Sequence, residues 1–215
     1  MEIDHIFIFS DSPNVAAAEL LALGLTEGSS RVHPGQGTTN RKFYFQNFFL
    51  EILWVHDVTE ITSPLLLPTR LWERAQYAAT GASPYGLCLV NTPDTDSVFA
   101  DALVYQPQYF PPGLTVDVLP NAHNHALPWL FRLPFKGAKT ATTEPTQHLA
   151  GLQQLTHAHF GLRHFAADEP GLQQLVDQTQ FSFRAAAENN LTLTFDGHQQ
   201  GQTKKVEALN LTICY

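Results

Sequence analysis

Two apolar stretches decide the predicted fold: IDHIFIF at residues 3–9 and FFLEILWV at residues 48–55. Each stretch is typical of a buried strand, and each contains one group that can bind a metal or transfer a proton, His5 in the first and Glu51 in the second. A carboxylate in such a strand is costly to bury unless another group pairs with it. The two stretches therefore predict a site as well as a fold.

The residues between these stretches complete a β-α-β-β-β module over residues 1–56. Ser12 and Pro13 are typical of the start of a helix, and an alanine-rich stretch follows them. Residues 28–33 and 41–47 predict two further strands that lead into the last one. Because both apolar strands lack a polar face, both sides of the sheet must be covered.

The rest of the chain predicts a second, less regular module and a C-terminal unit. Asp94 and Thr95 are candidate caps for a helix through Val104, and Asp168 followed by Pro170 predicts a helix around residues 170–178. The predicted organisation is a connector with a short helix over 57–84, the second module over 85–135, a linker over 136–154 and a C-terminal βαββ unit over 155–215 that completes the paired fold.

Composition excludes several classes of protein. Hydrophobic residues make up 44% and charged residues 15%, which is globular, and the net charge of −8 without a basic run argues against nucleic acid and anionic membranes as partners. We find neither a signal peptide nor a stretch of about 18 apolar residues, and we expect a cytoplasmic protein. Cys88 and Cys214 lack CxxC spacing and are predicted to be buried thiols.

Strand alternation predicts which side chains share a face with the two polar groups. His5 then lies with Ile3 and Phe7, and Glu51 lies with Phe49. An imidazole and a carboxylate are suitable ligands for zinc, iron, manganese or nickel, although a protein normally supplies at least three ligands. The same residues are explained equally well if His5 donates a hydrogen bond in the core and Glu51 pairs with His5 or with Arg41.

His157 and His159 are the candidates for completing a site with His5 and Glu51. They are two residues apart in the apolar stretch LTHAHFGL, residues 155–162, so on a strand they share one face and could chelate a metal.

The segment HPGQGTTNRKF, residues 33–43, is polar and rich in glycine, which core packing does not explain. The backbone amides near Gly35 and Gly37 could approach a carboxylate or enolate oxygen closely, although turn geometry alone also accounts for two glycines. Four polar side chains in and beside this segment are candidate substrate-binding groups: Arg31, His33, Gln36 and Asn40.

Over residues 3–56 the sequence resembles the vicinal oxygen chelate superfamily, and within it the glyoxalase-like proteins with an HPG-G-T-N segment and a LEL-type strand. The resemblance implies an α+β fold in which paired β-α-β-β-β modules form a curved mixed sheet cleft with helices outside. It also implies a divalent metal that is held by one His and one Glu from each module. His5 and Glu51 match the pair of the first module.

The second pair of the superfamily does not match. GLCLV, residues 86–90, is preceded by Tyr85 rather than by a histidine, and in PWLFRLPF, residues 128–135, the carboxylate position falls near Arg132. An arginine there would repel a metal and attract an anionic ligand, so Arg132 is a further candidate substrate-binding residue.

Three functions remain open. The first is an isomerase, lyase or dioxygenase in which His5 and Glu51 are catalytic, with or without a divalent metal, on a small anionic or vicinal-oxygen-bearing molecule. The second is a metal-free protein of the drug-resistance type that binds a small molecule between aromatic walls, for which the chain has 15 Phe and 3 Trp. The third is a dimerisation module with a vestigial cleft. Because paired-module relatives are often dimers, we also expect a homodimer.

Overall fold

The computed structural model describes residues 1–119, 121, 124–139, 142–165, 174–176 and 178–215. The strands are β1 (Ile3–Phe9), β2 (Val32–His33), β3 (Thr38–Tyr44), β4 (Phe49–Val55), β5 (Tyr85–Asn91), β6 (Leu103–Tyr105), β7 (Val116–Leu119), β8 (Trp129–Lys136), β9 (Leu155–Leu162), β10 (Phe181–Ala185), β11 (Asn190–Phe195), β12 (Thr203–Val206) and β13 (Leu211–Cys214). The α-helices are α1 (Pro13–Ala22), α2 (Val58–Ile61), α3 (Leu71–Ala75), α4 (Tyr77–Thr80) and α5 (Pro93–Asp96), and 3-10 turns span Leu67–Thr69, Asp196–His198 and Glu207–Leu209.

The first sheet has eight strands in the order β2-β3-β4-β1-β5-β8-β7-β6. β1 pairs in parallel with β4, β5 pairs in parallel with β8, and β1 and β5 join the two halves in antiparallel fashion. Both halves therefore have the same strand order, counted outward from the centre of the sheet. This confirms the predicted α+β fold, in which paired modules form a curved mixed sheet.

The C-terminal strands do not complete this pair, in contrast to the expectation for residues 155–215. β9 to β13 form a separate five-stranded sheet in the order β10-β9-β11-β13-β12. The reason is that β5 already has β1 on one side and β8 on the other, so the centre of the first sheet has no free edge. The central strands of the second sheet repeat the parallel, antiparallel, parallel pattern of the first.

A single apolar core lies between the two sheets and α1. Tyr85 of the first sheet contacts Phe160 of the second with ring centroids 5.8 Å apart, and Phe45 contacts Phe195 at 4.4 Å. Leu20 of α1 is fully buried in the same core. One face of the eight-stranded sheet is therefore covered by α1 and the second sheet, which leaves its other face to form a cavity.

Two predicted helices differ from the structure. α5 ends at Asp96, and the residues up to Val104 do not continue it, because Val104 lies in β6 and pairs with Asp117 of β7. Asp168 and Pro170, on which the second prediction depends, lie outside the described residues. Among the residues that are described, no helix is long and apolar enough to cross a membrane.

Candidate functional site

The uncovered face of the eight-stranded sheet encloses a cavity of about 260 Å³. Most of its wall is apolar or aromatic: Phe7, Phe49, Leu53, Leu71, Tyr105, Phe110, Trp129 and Phe131. The polar groups come mainly from the first module: Asp4, His5, Arg31, His33, Gln36, Asn40, Lys42 and Glu51. The structure thus brings together the catalytic candidates and all the binding candidates except Arg132.

A β-bulge in β1 shapes the polar wall. Ile3 pairs with Leu89 and His5 pairs with Cys88, so β1 advances by two residues while β5 advances by one. As a result Ile3 packs in the core between the sheets, whereas Asp4 and His5 both line the cavity. The prediction that His5 shares a face with Ile3 is therefore wrong.

His5 and Glu51 lie side by side at the centre of the polar wall. Oδ2 of Asp4 is 2.7 Å from Nδ1 of His5, and Nε2 of His5 is 3.9 Å from Oε2 of Glu51. The amide of Asn40 donates to Oε1 of Glu51, which is only 6% exposed. The imidazole also stacks on Phe49, with centroids 4.3 Å apart. Both groups are thus held by neighbours and face the same space.

The charge state of Asp4 decides the proton position on His5. Burial opposes ionisation of Asp4, but the hydrogen bond from His5 and the positive charges of His5 and Lys139 outweigh it and lower the pKa of Asp4. An ionised carboxylate only accepts hydrogen bonds, so Nδ1 carries the proton. In the neutral imidazole the lone pair therefore lies on Nε2, toward Glu51.

A second group of hydrogen bonds extends this wall to Tyr109. Thr38 Oγ1 lies 2.9 Å from both His33 Nδ1 and Gln36 Nε2, and the Tyr109 hydroxyl donates to Gln36 Oε1 at 3.1 Å. Asn40 Nδ2 is 3.4 Å from His33 Nε2. Burial lowers the pKa of His33, so this imidazole is neutral at pH 7 and acts as a hydrogen-bonding group rather than as a cation.

The amides of Gly35 and Gly37 bind an oxygen of the protein itself. Both donate to Oε2 of Glu60, at 2.7 and 3.0 Å. The expectation that these amides meet a carboxylate or enolate of a ligand is therefore wrong. Glu60 lies in α2, in the connector, and no local pattern in the sequence links it to the glycines.

Two cationic side chains border the cavity. The Arg31 guanidinium lies 4.7 Å above the ring of Tyr109 and donates to its carbonyl at 3.3 Å. Lys42 lies with its ammonium group 5.3 Å from the ring centroid of Tyr44. Lys42 was not among the predicted residues, although strand alternation places it on the same face as Asn40.

Arg132 lies on the other face of the sheet, away from the cavity. It is 9% exposed and donates to Asp117 and to Asp96, each at 2.7 Å, and to the hydroxyl of Thr95 at 3.0 Å. Burial alone would lower its pKa, but the hydrogen bonds to the two aspartates outweigh burial and raise it. The structure therefore does not support a substrate-binding role for Arg132, since its neighbour Phe131 faces the cavity instead.

The second module contributes aromatic residues where the resemblance implies metal ligands. On β5, Tyr85 packs in the core between the sheets, whereas the buried Cys88 lies on the cavity side of the sheet. On β8, Trp129 and Phe131 line the cavity. In the described part of this module, neither an imidazole nor a carboxylate lines the cavity opposite His5 and Glu51.

His5 and Glu51 are close enough to bind one metal ion, but the second module adds no second pair of ligands to the described lining of the cavity. Two ligands of a tetrahedral zinc ion, each about 2.0–2.1 Å from it, lie about 3.4 Å apart, and Nε2 of His5 and Oε2 of Glu51 are 3.9 Å apart. One ligand atom from each of Asp4, His5 and Cys88 falls within 4.8 Å of the others, but burial raises the pKa of the Cys88 thiol well above its usual range. Among the residues that the structure describes, the superfamily's set of two histidines and two glutamates does not meet at this cavity.

His157 and His159 are not brought to His5 and Glu51. Both lie on β9 of the second sheet and contact Ser182. Neither lines the cavity.

The chain is similar to one protein family and to solved structures. A family model described as a glyoxalase-like domain matches residues 3–110. The structure of a hypothetical protein from Staphylococcus aureus has a TM-score of 0.61 and 8% identity, over 99% of this chain and 97% of that chain, and shows the fold alone. The likeness is weaker to a variant methylmalonyl-CoA epimerase from Streptomyces coelicolor in complex with 2-nitronate-propionyl-CoA, with a TM-score of 0.41 and 13% identity over 65% of this chain and 99% of that chain. No curated protein matches the sequence.

Proposed function

Because the chain belongs to the glyoxalase-like domain family, whose model matches half of its length, we propose that the cavity is the active site of an isomerase or lyase. His5 and Glu51 transfer protons on a small molecule that has a carbonyl or carboxylate oxygen and an apolar body. The observation that carries this proposal is the spacing of 3.9 Å between Nε2 of His5 and Oε2 of Glu51 inside a largely apolar cavity.

The two groups suit proton transfer at neighbouring atoms. Nε2 of His5 is the free basic position, because Nδ1 donates to Asp4, and the Asp4 carboxylate stabilises the imidazolium that forms when Nε2 takes a proton. The Glu51 carboxylate is a second acid–base group. One group removes a proton from the carbon beside a carbonyl, and the C–H electron pair forms the enolate. The same group, now protonated, returns that proton to a carbon of the enolate.

The surrounding residues support a particular class of substrate. The aromatic wall fits an apolar or aromatic body, and a volume of about 260 Å³ limits it to a small molecule. Arg31 and Lys42 place positive charge at the border of the cavity, where it favours an anionic oxygen.

The superfamily that the sequence resembles commonly uses a divalent metal. A divalent cation held by His5 and Glu51 would polarise the carbonyl oxygen as a Lewis acid. Cys88 and Phe131 lie on the strands that would supply the second pair of ligands. His5 and Glu51 therefore carry the proton transfer in this proposal.

Binding and proton transfer are measured together. Untagged protein is screened by thermal shift against aryl 2-oxo and 2-hydroxy acids, such as phenylpyruvate and mandelate, and each compound that binds is followed by ¹H NMR in D₂O. We expect protein-dependent exchange of the C–H proton on the carbon that is bonded to the carbonyl or carboxylate carbon. Glu51→Gln and His5→Asn should abolish the exchange and retain the thermal shift, whereas His56→Asn, at an exposed position, should change neither.

The second candidate function is metal-free sequestration of an aromatic compound. It is favoured by the packing of Trp129 against Phe131 in the cavity wall, with centroids 4.7 Å apart. A compound whose thermal shift is lost in Phe131→Ala, but whose protons do not exchange, would contradict the isomerase or lyase and support this function. Metal analysis is the remaining check, because about one equivalent of metal that is lost in both His5→Ala and Glu51→Ala would show a metal-assisted reaction.

A further inference from the structure

His157 and His159 converge on one hydroxyl group at the outer face of the second sheet. Nε2 of His157 is 2.9 Å and Nδ1 of His159 is 3.0 Å from Oγ of Ser182. The two histidines are partly exposed and lie on the face of β9 opposite to Ala158 and Phe160, which are buried in the core. Two imidazole nitrogens of partly exposed side chains thus face the same hydroxyl, which belongs to the buried Ser182.

The hydrogen bonds fix the proton positions on these rings. Nδ1 of His157 is 3.1 Å from the carbonyl oxygen of Thr179, which can only accept, so Nδ1 carries the proton and Nε2 of the neutral ring carries the lone pair. The single hydroxyl proton of Ser182 therefore points to His157, and Oγ of Ser182 accepts from Nδ1 of His159. A ring nitrogen that donates to a backbone carbonyl is the usual arrangement of a histidine that ligates a metal through its other nitrogen.

We propose that His157 and His159 chelate a late first-row divalent cation, Zn²⁺, Ni²⁺ or Cu²⁺, through Nε2 of His157 and Nδ1 of His159. Imidazole suits these ions in particular. The two nitrogens lie no farther apart than the sum of their distances to Ser182 Oγ, and two ligands of a tetrahedral ion are about 3.4 Å apart. A cation that both nitrogens bind would therefore replace their hydrogen bonds to Ser182. His159 then carries its proton on Nε2.

The surroundings set the strength of this site. Two imidazoles are fewer than the three or four protein ligands of a tight site, so water completes the coordination. The positive charge of Arg184 acts on His159 and opposes a bound cation. We therefore expect reversible binding rather than a permanently held ion. The site shares no residue with the cavity, so it does not depend on the proposed function.

Isothermal titration of the untagged full chain with NiCl₂ tests the proposal. Wild type should bind one equivalent at this site, and His157→Gln and His159→Gln should each weaken binding at least about tenfold, because each removes one ligand of the chelate. His56→Gln removes an exposed imidazole elsewhere and should have no effect. In His5→Asn, which disrupts the cavity pair, the equivalent should persist.

The spectrum of bound Cu²⁺ gives a second readout that does not depend on affinity. Pulsed electron paramagnetic resonance of wild type should show two coupled imidazoles, and each single variant should show one. The proposal is overturned if wild type binds no Ni²⁺, if both histidine variants bind it as tightly as wild type, or if binding is lost in His5→Asn and kept in His157→Gln.

Discussion

Oδ2 of Asp4 lies 2.7 Å from Nδ1 of His5, although the two residues are consecutive in a strand and would ordinarily point to opposite faces. The bulge at this point of β1 turns both side chains into the cavity. The contact orders the imidazole that stands beside Glu51 and determines which of its nitrogens is basic.

Replacing Asp4 by asparagine should change the tautomer of His5. In Asp4→Asn the side-chain amide can donate to Nδ1, so the proton of the neutral imidazole moves to Nε2 and the basic position no longer faces Glu51. ¹⁵N chemical shifts of the His5 ring measure this directly, with the Nδ1–H form expected in wild type. Asp101→Asn, at an exposed position, is the matched control. Identical ring shifts in wild type and Asp4→Asn would show that Asp4 does not set the tautomer.

The bulge also shows where prediction from the sequence stops. Alternation places Glu51 and Phe49 together on the cavity face, as the structure has them, because β4 is regular. Alternation fails for Ile3, because the bulge depends on how β1 pairs with a strand about 80 residues later in the chain, beginning at Tyr85. The prediction for Arg132 fails for a similar reason. The segment PWLFRLPF does not show whether Phe131 or Arg132 faces the cavity.

Contacts between distant segments account for the other differences. The amides of Gly35 and Gly37 were expected to meet a ligand, and Glu60 binds them instead. The apolar pattern of residues 155–162 predicts a strand, which the structure confirms as β9. That pattern contains no information about whether the strand joins the first sheet or begins a second one.

Gly37 and Gly81 offer a matched pair for testing the loop that precedes β3. Both have φ of +73°, but a Cβ on Gly37 would lie 2.3 Å from the carbonyl oxygen of Asp57, and one on Gly81 would meet nothing within 4 Å. We expect Gly81→Ala to lower the free energy of unfolding by about 1–2 kcal/mol, the cost of a left-handed conformation. Gly37→Ala should cost at least about 2 kcal/mol more, because backbone must also move.

Urea denaturation of both glycine variants measures the difference. Gly37 lies beside His33 and Gln36, which line the cavity, and its amide donates to Glu60. Equal loss of stability in the two variants would mean that the contact with Asp57 relaxes at little cost.

Replacing Arg132 should lower stability, whereas replacing Arg31 should lower the affinity of the cavity for an anionic ligand. Arg132→Ala removes charged hydrogen bonds to Asp96 and Asp117 and should lower the free energy of unfolding by about 1.5–3 kcal/mol. It should leave the affinity of an aryl acid for the cavity unchanged. Arg31→Ala, at an exposed position beside the cavity, should weaken that affinity and change stability little.

Urea denaturation and thermal shift titration of both arginine variants separate the two effects. Weaker binding of the aryl acid by Arg132→Ala, at a temperature where the variant is fully folded, would show that Arg132 contributes to binding.

His148 should make stability fall as the pH drops below about 6.5, the ordinary pKa of a histidine. Its Nδ1 accepts from the amide of Thr26 and its Nε2 donates to the carbonyl of Tyr44, both at 2.9 Å, so the folded protein holds it neutral. Burial lowers its pKa, which means that the unfolded chain, with a pKa near 6.5, binds the proton more readily. The stabilisation is therefore complete above the unfolded value and is lost as pH falls toward the folded value.

His148→Gln removes this titration, and urea denaturation at several pH values between 5 and 8 detects its absence. Wild type should be more stable than His148→Gln at pH 8, and the difference in free energy of unfolding should shrink steadily toward pH 5. The buried His33 has a lowered pKa as well and contributes in the same direction, so the variant keeps part of the slope. His56→Gln should leave the wild-type slope intact, because that imidazole is exposed. Parallel curves for wild type and His148→Gln would mean that the folded and unfolded chains bind the proton on His148 equally well, which would contradict the prediction.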